Sequence, residues 1–506
     1  MQRQMQHSQQ RQMQRRPQRA QQPAAESRLS AAVRRIEAAL DARPLIDYTM
    51  IRSIVLFLAG LGVVMAMSSS MATSFAASAS VWAQAARQAV MVVFGLVLFW
   101  VALQTPPERL RRASNWLMII SICLLVAVLT SLGTGREEVG SQSWLAIGPL
   151  RLQPSEVARV AIAMWGAQVL EHKDPKRIGA IDNGFVGFGA VATLCVLLIG
   201  MQGDMGMALS FAVVVAFILL FAGVSLKAVG VLAAGGFVAL LIAFFSGGFR
   251  SNRFHVYFDA LHGHFDDTKG AAFQSHQGFL SLADGNVFGV GLGQSRAKWF
   301  YLPEARNDFI FAVIGEELGL WGGALVIILF TMLLFFGLRT ARLAANQYQA
   351  LLAASITTGI VSQAFINIGY VIGLLPVTGI QLPMISAGGT SAVITLGAMG
   401  LVASVARHEP GAVSSMQNYG RPMFDRLFFL REPSSPEPRE RRPRAVKKEP
   451  ASPYGTPVTA RRSPAHNHAQ APVPAARAQD RAQGRNRPRS AERPATRTAP
   501  RPGTRT

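Results

Sequence analysis

Acids and cations crowd one polar-to-apolar junction of this 506-residue chain. Lys298, Glu304, Arg306, Asp308, Glu316 and Glu317 fall within the stretch from Lys298 to Gly319, with Arg296 just ahead, and an apolar run then continues to about Leu338. An ionisable group where a hydrophobic helix emerges is costly at a membrane boundary, so function is the first reading of Asp308. The competing reading is plainer: Asp308 or Asn307 caps a helix. On a helical spacing Asp308, Ala312, Gly315, Gly319 and Gly322 share one face, with Glu316 flanking it and Glu317 pointing to the opposite side. Small residues there would let another helix approach closely beneath the acid. A helix from Asp308 to Leu338 would be about 45 Å long against a hydrocarbon core of about 30 Å, which leaves Asp308 near water.

Polar islands interrupt the apolar sequence at four places: Gly140 to Arg159, Gln202 to Gly206, Gln274 to Asp308 and Pro376 to Ser391. All are expected on the same side of the membrane, which suggests one site assembled between helices. Glu156 and Arg159, three apart on one helix face, could serve a ligand or simply neutralise each other. Gln202 and Asp204 could bind a sugar or lock two helices together. Glu304 could pair locally with Arg306. Ser386 opens the run Ser386-Ala387-Gly388-Gly389-Thr390-Ser391, which reads as a close-packing helix entrance, since no base accompanies the serine.

The elements that must position these groups follow from composition. Half of the residues are hydrophobic and mean hydropathy is +0.26. That describes an all-α polytopic membrane protein with appended polar tails, not a large soluble enzyme. Apolar runs recur at about 50–70, 86–104, 115–133, 154–170, 184–200, 205–224, 226–246, 308–338, 348–375 and 385–407, giving ten expected spans. The net charge of +22 lies mostly in the tails: residues 1–48 carry nine Arg against four acids, and residues 408–506 carry twenty Lys and Arg against eight. Tail-confined positive charge beside spans fits the anionic cytoplasmic leaflet and the positive-inside rule, whereas no aromatic-rich basic fold points to nucleic acid. Basic loops then put both termini in the cytoplasm.

The expected organisation is a cytoplasmic tail over 1–48, a ten-span domain over 49–407 with a large extracellular loop at 247–307, and a mostly disordered Pro/Arg-rich tail over 408–506. Within that last tail, Phe424, Leu427, Phe428, Phe429 and Leu430 could form a short membrane-surface anchor. The large loop is aromatic and holds His255, His262, His264 and His276, but no spacing matches a closed zinc site. Gly289-Val290-Gly291-Leu292-Gly293 is a glycine-rich turn too loose to be a nucleotide motif. Cys123 and Cys195, each within an apolar run, read as small core residues.

Three of these stretches together carry a resemblance. Gln153-Pro154-Ser155-Glu156-Val157-Ala158-Arg159, the Lys298–Gly319 stretch, and Pro376-Val377-Thr378-Gly379-Ile380-Gln381-Leu382-Pro383-Met384-Ile385-Ser386-Ala387-Gly388-Gly389-Thr390-Ser391 resemble the SEDS family over about residues 50–407. The run from Lys298 to Ala305 followed by Ile314-Gly315-Glu316-Glu317 is closer to division members than to elongation members. This chain departs from the family pattern at Arg306-Asn307 (commonly His-Thr), Gly203 (Pro), Ser143 (Arg), Arg159 (Lys) and Ala387 (Tyr).

The resemblance implies a ten-span bacterial membrane enzyme that polymerises lipid II, the undecaprenyl-pyrophosphate disaccharide-pentapeptide, into glycan strands at the septum. It assigns Asp308 as the general base for a weakly acidic sugar hydroxyl. An α-linked donor giving a β-linked product requires one inversion at the anomeric carbon. Lys298, Arg296, Arg306 and Arg159 are the candidate cations for the leaving pyrophosphate, with Glu156, Glu304, Gln202, Asp204 and Ser386 as further candidate substrate contacts. No cofactor is evident, although a divalent cation (Mg or Mn) could accompany the pyrophosphate. No transpeptidase module is read from the sequence, so cross-linking would fall to a class B penicillin-binding partner, alongside other division proteins. A lipid II flippase and an elongation-type polymerase are the alternatives.

Overall fold

The computed structural model describes residue 35 and residues 37–433, apart from 79–81, 137–139, 149, 178, 180–182, 246–270, 297–301 and 303. Lys298, the histidines at 255, 262 and 264, most of the first tail and residues 434–506 therefore lie outside the described residues.

All ten apolar runs fold as helices, the form in which a backbone satisfies its own polar groups in hydrocarbon. They are α1 (Ile46–Ser78), α2 (Ala83–Gln104), α3 (Pro107–Val128), α4 (Pro154–Leu170), α5 (Phe185–Met201), α6 (Met205–Phe221) and α7 (Leu226–Phe245). After α8 (Ala271–Gly285), which belongs to the large loop, come α9 (Ile310–Leu343), α10 (Gln347–Val371) and α11 (Thr390–Arg407). Among the described residues six helices are long and apolar enough to cross a membrane: α1, α2, α3, α9, α10 and α11. At 17 residues each, α4, α5 and α6 sit at the short limit for a span.

Burial marks α10 and α11 as central. In each, 83% of the apolar window is buried, against 28% in α3. Polar side chains on α10 therefore face protein, where they must find partners. α11 packs along α2 through small residues: a Cβ on Gly400 would lie 2.7 Å from the Phe99 oxygen, and one on Gly95 2.5 Å from Leu396. Such close approach suits helices in lipid, whose attraction is packing rather than hydrophobic burial.

The structure departs from the sequence reading in four places. First, the island after α3 folds as a small antiparallel sheet of β1 (Gly133–Thr134), β2 (Trp144–Ile147) and β3 (Leu150–Leu152), turning near Gly148 at φ +60°. Second, α9 begins at Ile310 and breaks at Gly319 (φ 67°, ψ −164°). Asp308 thus precedes the helix and shares no continuous face with Gly319 and Gly322. Only the part from Leu320 to Leu343 needs to cross the membrane, about 36 Å at 1.5 Å per residue. Leu320 and Trp321, both about two-thirds exposed, open that part as an interfacial anchor would. Third, residues 385–389 are loop, and α11 starts only at Thr390. Fourth, the chain beyond α11 continues as α12 (Pro410–Tyr419) and α13 (Met423–Leu427), packed against the helix ends. Asp425 there is fully buried and accepts from Tyr48 Oη at 2.7 Å and Arg407 Nε at 2.8 Å.

Candidate active site

Asp308 lies at the end of a turn, residues 304–309, that leads into α9. The N-cap residue of α9 is Phe309, one position beyond Asp308, and it makes no side-chain cap bond. What holds the turn is its backbone. Three successive carbonyls are each gripped by a different donor. Ala387 N donates to the Arg306 oxygen at 3.0 Å, Ser386 Oγ to the Asn307 oxygen at 2.7 Å, and both Asn367 Nδ2 (2.8 Å) and Tyr370 Oη (2.9 Å) to the Asp308 oxygen. Glu304 adopts φ +54° and accepts from Asn307 Nδ2 at 2.6 Å. Its local partner is thus Asn307 rather than the anticipated Arg306.

The donors come from α10 and from the loop before α11. Gln363, Asn367 and Tyr370 stand at spacings that put them on one face of α10, directed at that loop. Gln363 Nε2 donates to the Gln381 oxygen at 2.9 Å, while Asn367 Nδ2 and Tyr370 Oη reach the Ile380 oxygen at 2.7 and 2.6 Å. The loop is bent at Met384, φ +64°, whose oxygen approaches Gly62 of α1 so closely that a Cβ there would lie 2.3 Å away. Ser386 also accepts from Leu382 N at 2.8 Å, which makes it a structural hinge pin and not a nucleophile. Gln88 Nε2 on α2 meets the Ser386 oxygen at 3.3 Å and brings the first turns of α2 alongside.

One helical turn further into the bundle lies a buried ion pair. Arg159 Nη2 sits 2.5 Å from Glu156 Oε2, and Arg159 Nη1 donates to Ser210 Oγ at 2.9 Å and to Gln363 Oε1. Glu156 Oε1 accepts from Ser391 Oγ at 3.1 Å. The bonds that Arg159 makes therefore run to its helix neighbour and to α6 and α10. Its link to the Asp308 turn is therefore indirect, through Gln363 and the turn of α10 that carries Asn367. Beneath it a mainly apolar cleft runs between α4, α6, α10 and α11.

Gln202 and Asp204 lock elements together. Asp204 Oδ1 caps α6 by accepting from Met207 N at 3.0 Å, and Asp204 Oδ2 accepts from Gln153 Nε2 at 2.9 Å. Gln202 Nε2 meets the Leu125 oxygen at 3.3 Å, and the Gln202 backbone oxygen accepts from Gln142 N at 2.8 Å. Thr390 Oγ1 closes the circuit by donating to the Arg151 oxygen at 2.7 Å. All four polar islands thus touch one another or share α10.

Glu316 and Glu317 are both buried, and both have partners. Glu316 accepts from Ser295 Oγ at 2.7 Å and Arg296 N at 2.6 Å; Glu317 accepts from Ser68 Oγ of α1 at 2.6 Å. The break itself is sealed by the glycine-rich turn. Val290 N and Gly291 N donate to the Glu316 and Glu317 oxygens, and Leu320 N donates to the Asn286 oxygen, all at 2.9–3.0 Å. Any Cβ at Gly289 or Gly319 would strike the opposing backbone at 2.2 or 2.4 Å, which accounts for both glycines. Ser295-Arg296-Ala297-Lys298 has the Ser-x-x-Lys spacing of a penicillin-binding nucleophile, unnoticed in the sequence. Ser295 is fully buried and its hydroxyl is donated to Glu316, which is a structural use.

Around the half-buried Asp308, then, Glu304, Arg306, Ser386 and the α10 stripe form one assembly, with Glu156 and Arg159 a turn below and Gln202 and Asp204 bracing its side. The Arg296 side chain is exposed. Among the described residues no three His, Cys, Asp or Glu side chains gather as a metal site would require. The residues missed from sequence are Gln363, Asn367 and Tyr370. Their signal was present as a polar stripe at helical spacing inside an apolar run.

The profile of the FtsW/RodA/SpoVE cell cycle protein family matches residues 48–410. A probable peptidoglycan glycosyltransferase FtsW of Mycobacterium tuberculosis is 37% identical over 388 residues, 77% of this chain and 73% of the relative. Stage V sporulation protein E of Bacillus subtilis is 36% identical over 327 residues, 64% of this chain and 87% of the relative. Among solved structures, the fold is similar to a chain of a peptidoglycan synthase complex that coordinates polymerization and crosslinking, with TM-score 0.57, 23% identity, and 71% and 97% of the two chains covered. The rod shape determining protein RodA of Thermus thermophilus gives TM-score 0.52 at 24% identity, covering 71% and 96%. The chain belongs to the FtsW/RodA/SpoVE family of cell cycle proteins, the SEDS peptidoglycan glycosyltransferases.

Proposed function

We propose that this protein polymerises lipid II into glycan strands during septal wall synthesis, with Asp308 as the general base and one inversion at the anomeric carbon. The observation that carries the reading is the grip on three consecutive carbonyls at 306, 307 and 308, from the α10 stripe and the 380–387 loop. A carboxylate that must meet a sugar hydroxyl within about 3 Å gains from a backbone that cannot drift. Asp308 takes the proton of the acceptor hydroxyl as that oxygen attacks the anomeric carbon and the lipid pyrophosphate departs from the opposite face. Arg306, Arg296 and Lys298 are the loop candidates to meet the pyrophosphate charge. Any divalent cation would accompany that pyrophosphate.

The septal assignment rests on the FtsW names of the relatives. A class B penicillin-binding transpeptidase as partner is supported by the likeness to a synthase complex chain. Basic loops favour cytoplasmic termini, which puts Asp308 on the outer face. The broken helix at Gly319 is also the device that transporters use, so lipid II translocation is the second reading. Purified protein supplied with lipid II separates the two. Polymer from the wild type, lost in Asp308→Ala with and without the partner, supports the polymerase; lipid movement across vesicles without polymer supports the transporter.

A further inference from the structure

The segment that follows α11 presents two opposed surfaces. Its inner one is polar and pinned to three helix ends. Asp425 is held by Tyr48 and Arg407, Arg407 also donates to the Arg431 oxygen, and Arg421 Nη1 donates to the Leu430 oxygen at 2.7 Å. The Arg52 guanidinium lies 4.2 Å from the Phe424 ring centroid, and Trp100 Nε1 of α2 donates to the Phe428 oxygen at 2.9 Å. Phe424 and Leu430 are turned inward, so the anchor expected from sequence is split between two sides. On the outer side Met423 and Phe429 are each 83% exposed, Leu427 is 64% exposed and Phe428 44%. Four large apolar side chains held open by so many polar pins are not a fraying tail.

We infer that residues 423–431 form a clasp that inserts Met423, Leu427, Phe428 and Phe429 into the headgroup–acyl boundary of an anionic lipid leaflet. Two observations name the occupant as lipid. The patch is continuous with the outward face of α2, a membrane span whose Val93, Val97, Trp100 and Val101 are exposed. Trp100 lies four residues from the end of that helix, about 6 Å inside it, the depth at which tryptophan favours the interface. The patch is also flanked by exposed Arg426 and Arg431, which complement phospholipid phosphate. Pinned inside by Asp425 and outside by lipid, the clasp ties the ends of α1, α2 and α11 to the leaflet.

The test uses full-length protein in nanodiscs, with Cys123→Ser and Cys195→Ala as background and a fluorophore on Phe429→Cys or, independently, Leu427→Cys. Insertion predicts a blue-shifted label quenched by spin-labelled lipid and shielded from aqueous iodide. Adding phosphatidylglycerol should shift the inserted population about fivefold per flanking arginine, an effect that falls by about fivefold in Arg426→Gln. A label open to iodide at both positions in every lipid mixture would overturn the clasp and leave the patch to a protein partner. Insertion indifferent to phosphatidylglycerol would overturn its anionic headgroup assignment.

Discussion

Asn367 Nδ2 lies 2.8 Å from the backbone oxygen of Asp308, so a buried amide on a central helix fixes the residue that the family resemblance makes the base. The contact is to the main chain, so it fixes the backbone from which the carboxylate projects. Tyr370 shares the same acceptor at 2.9 Å and receives a bond from Asn367 at 2.6 Å, so the two act as a unit.

Loss of that unit should slow turnover more than it weakens binding. Asn367→Ala and Tyr370→Phe are each expected to lower kcat about tenfold, the worth of roughly one hydrogen bond's positioning energy, with KM little changed. The double variant should fall short of the product of the two, because they share one acceptor. Steady-state polymerisation beside a melting curve checks this; a fall in Tm with kcat unchanged would reduce both residues to packing.

Arg159 and Glu156 should behave as a stability element. Arg159→Ala strands a buried carboxylate and is expected to cost about 3–5 kcal/mol, whereas Arg159→Lys retains the charge and much of the stability. Removing both charges with Arg159→Met and Glu156→Leu should recover most of the loss. If Arg159→Ala melts normally but polymerises poorly, the arginine acts directly on substrate instead.

Stability should also depend on pH through the end of the bundle away from Asp308. Burial, reinforced by the nearby Asp47 carboxylate, pushes the Glu409 carboxyl from 4.5 up to about 8. The folded protein then holds a proton that the unfolded chain has released. Stability contributed by this group is therefore full below about pH 4.5 and declines as pH rises toward 8. His408 works from the other side, since burial lowers its pKa below 6.5 and stability falls as acid charges it. Glu409→Gln should flatten the alkaline decline and raise Tm at pH 8 by about 2 °C or more. An unchanged Tm profile would mean that Glu409 is hydrated.

Tail removal should separate recruitment from catalysis. Pro433 is buried, which puts a clean boundary for truncation at 434. Deleting residues 434–506 is expected to leave purified polymerase activity within about twofold while reducing septal enrichment in cells, because weak electrostatic attraction acts at recruitment. Imaging beside the purified assay decides; lost activity in the purified truncation would refute a recruitment-only tail.

Much of this arrangement was legible in the residues. Apolar length located all ten helices, since the lipid constraint leaves few other folds. The polar islands announced a shared site because ionisable groups rarely sit idle at a membrane boundary. What escaped was tertiary. Nothing local says that Gly319 breaks a helix; the break exists because Gly289 and the Asn286 oxygen meet it from another segment. Glu317 looked misplaced on a face pattern drawn for an unbroken helix, yet Ser68 of α1 receives it. The α10 stripe was overlooked because one Gln, one Asn and one Tyr in an apolar run resemble ordinary interhelical bonds. Asp425 and its Tyr48 partner are 377 residues apart, a separation that no local pattern spans.

The most direct test is Asp308→Asn in purified protein supplied with lipid II and its partner transpeptidase. The side chain keeps its size and the gripped carbonyl, and only the proton-accepting charge is lost. The account predicts that glycan polymer disappears, with Tm and partner binding unchanged. Polymer formed at near wild-type rate by this variant would contradict it.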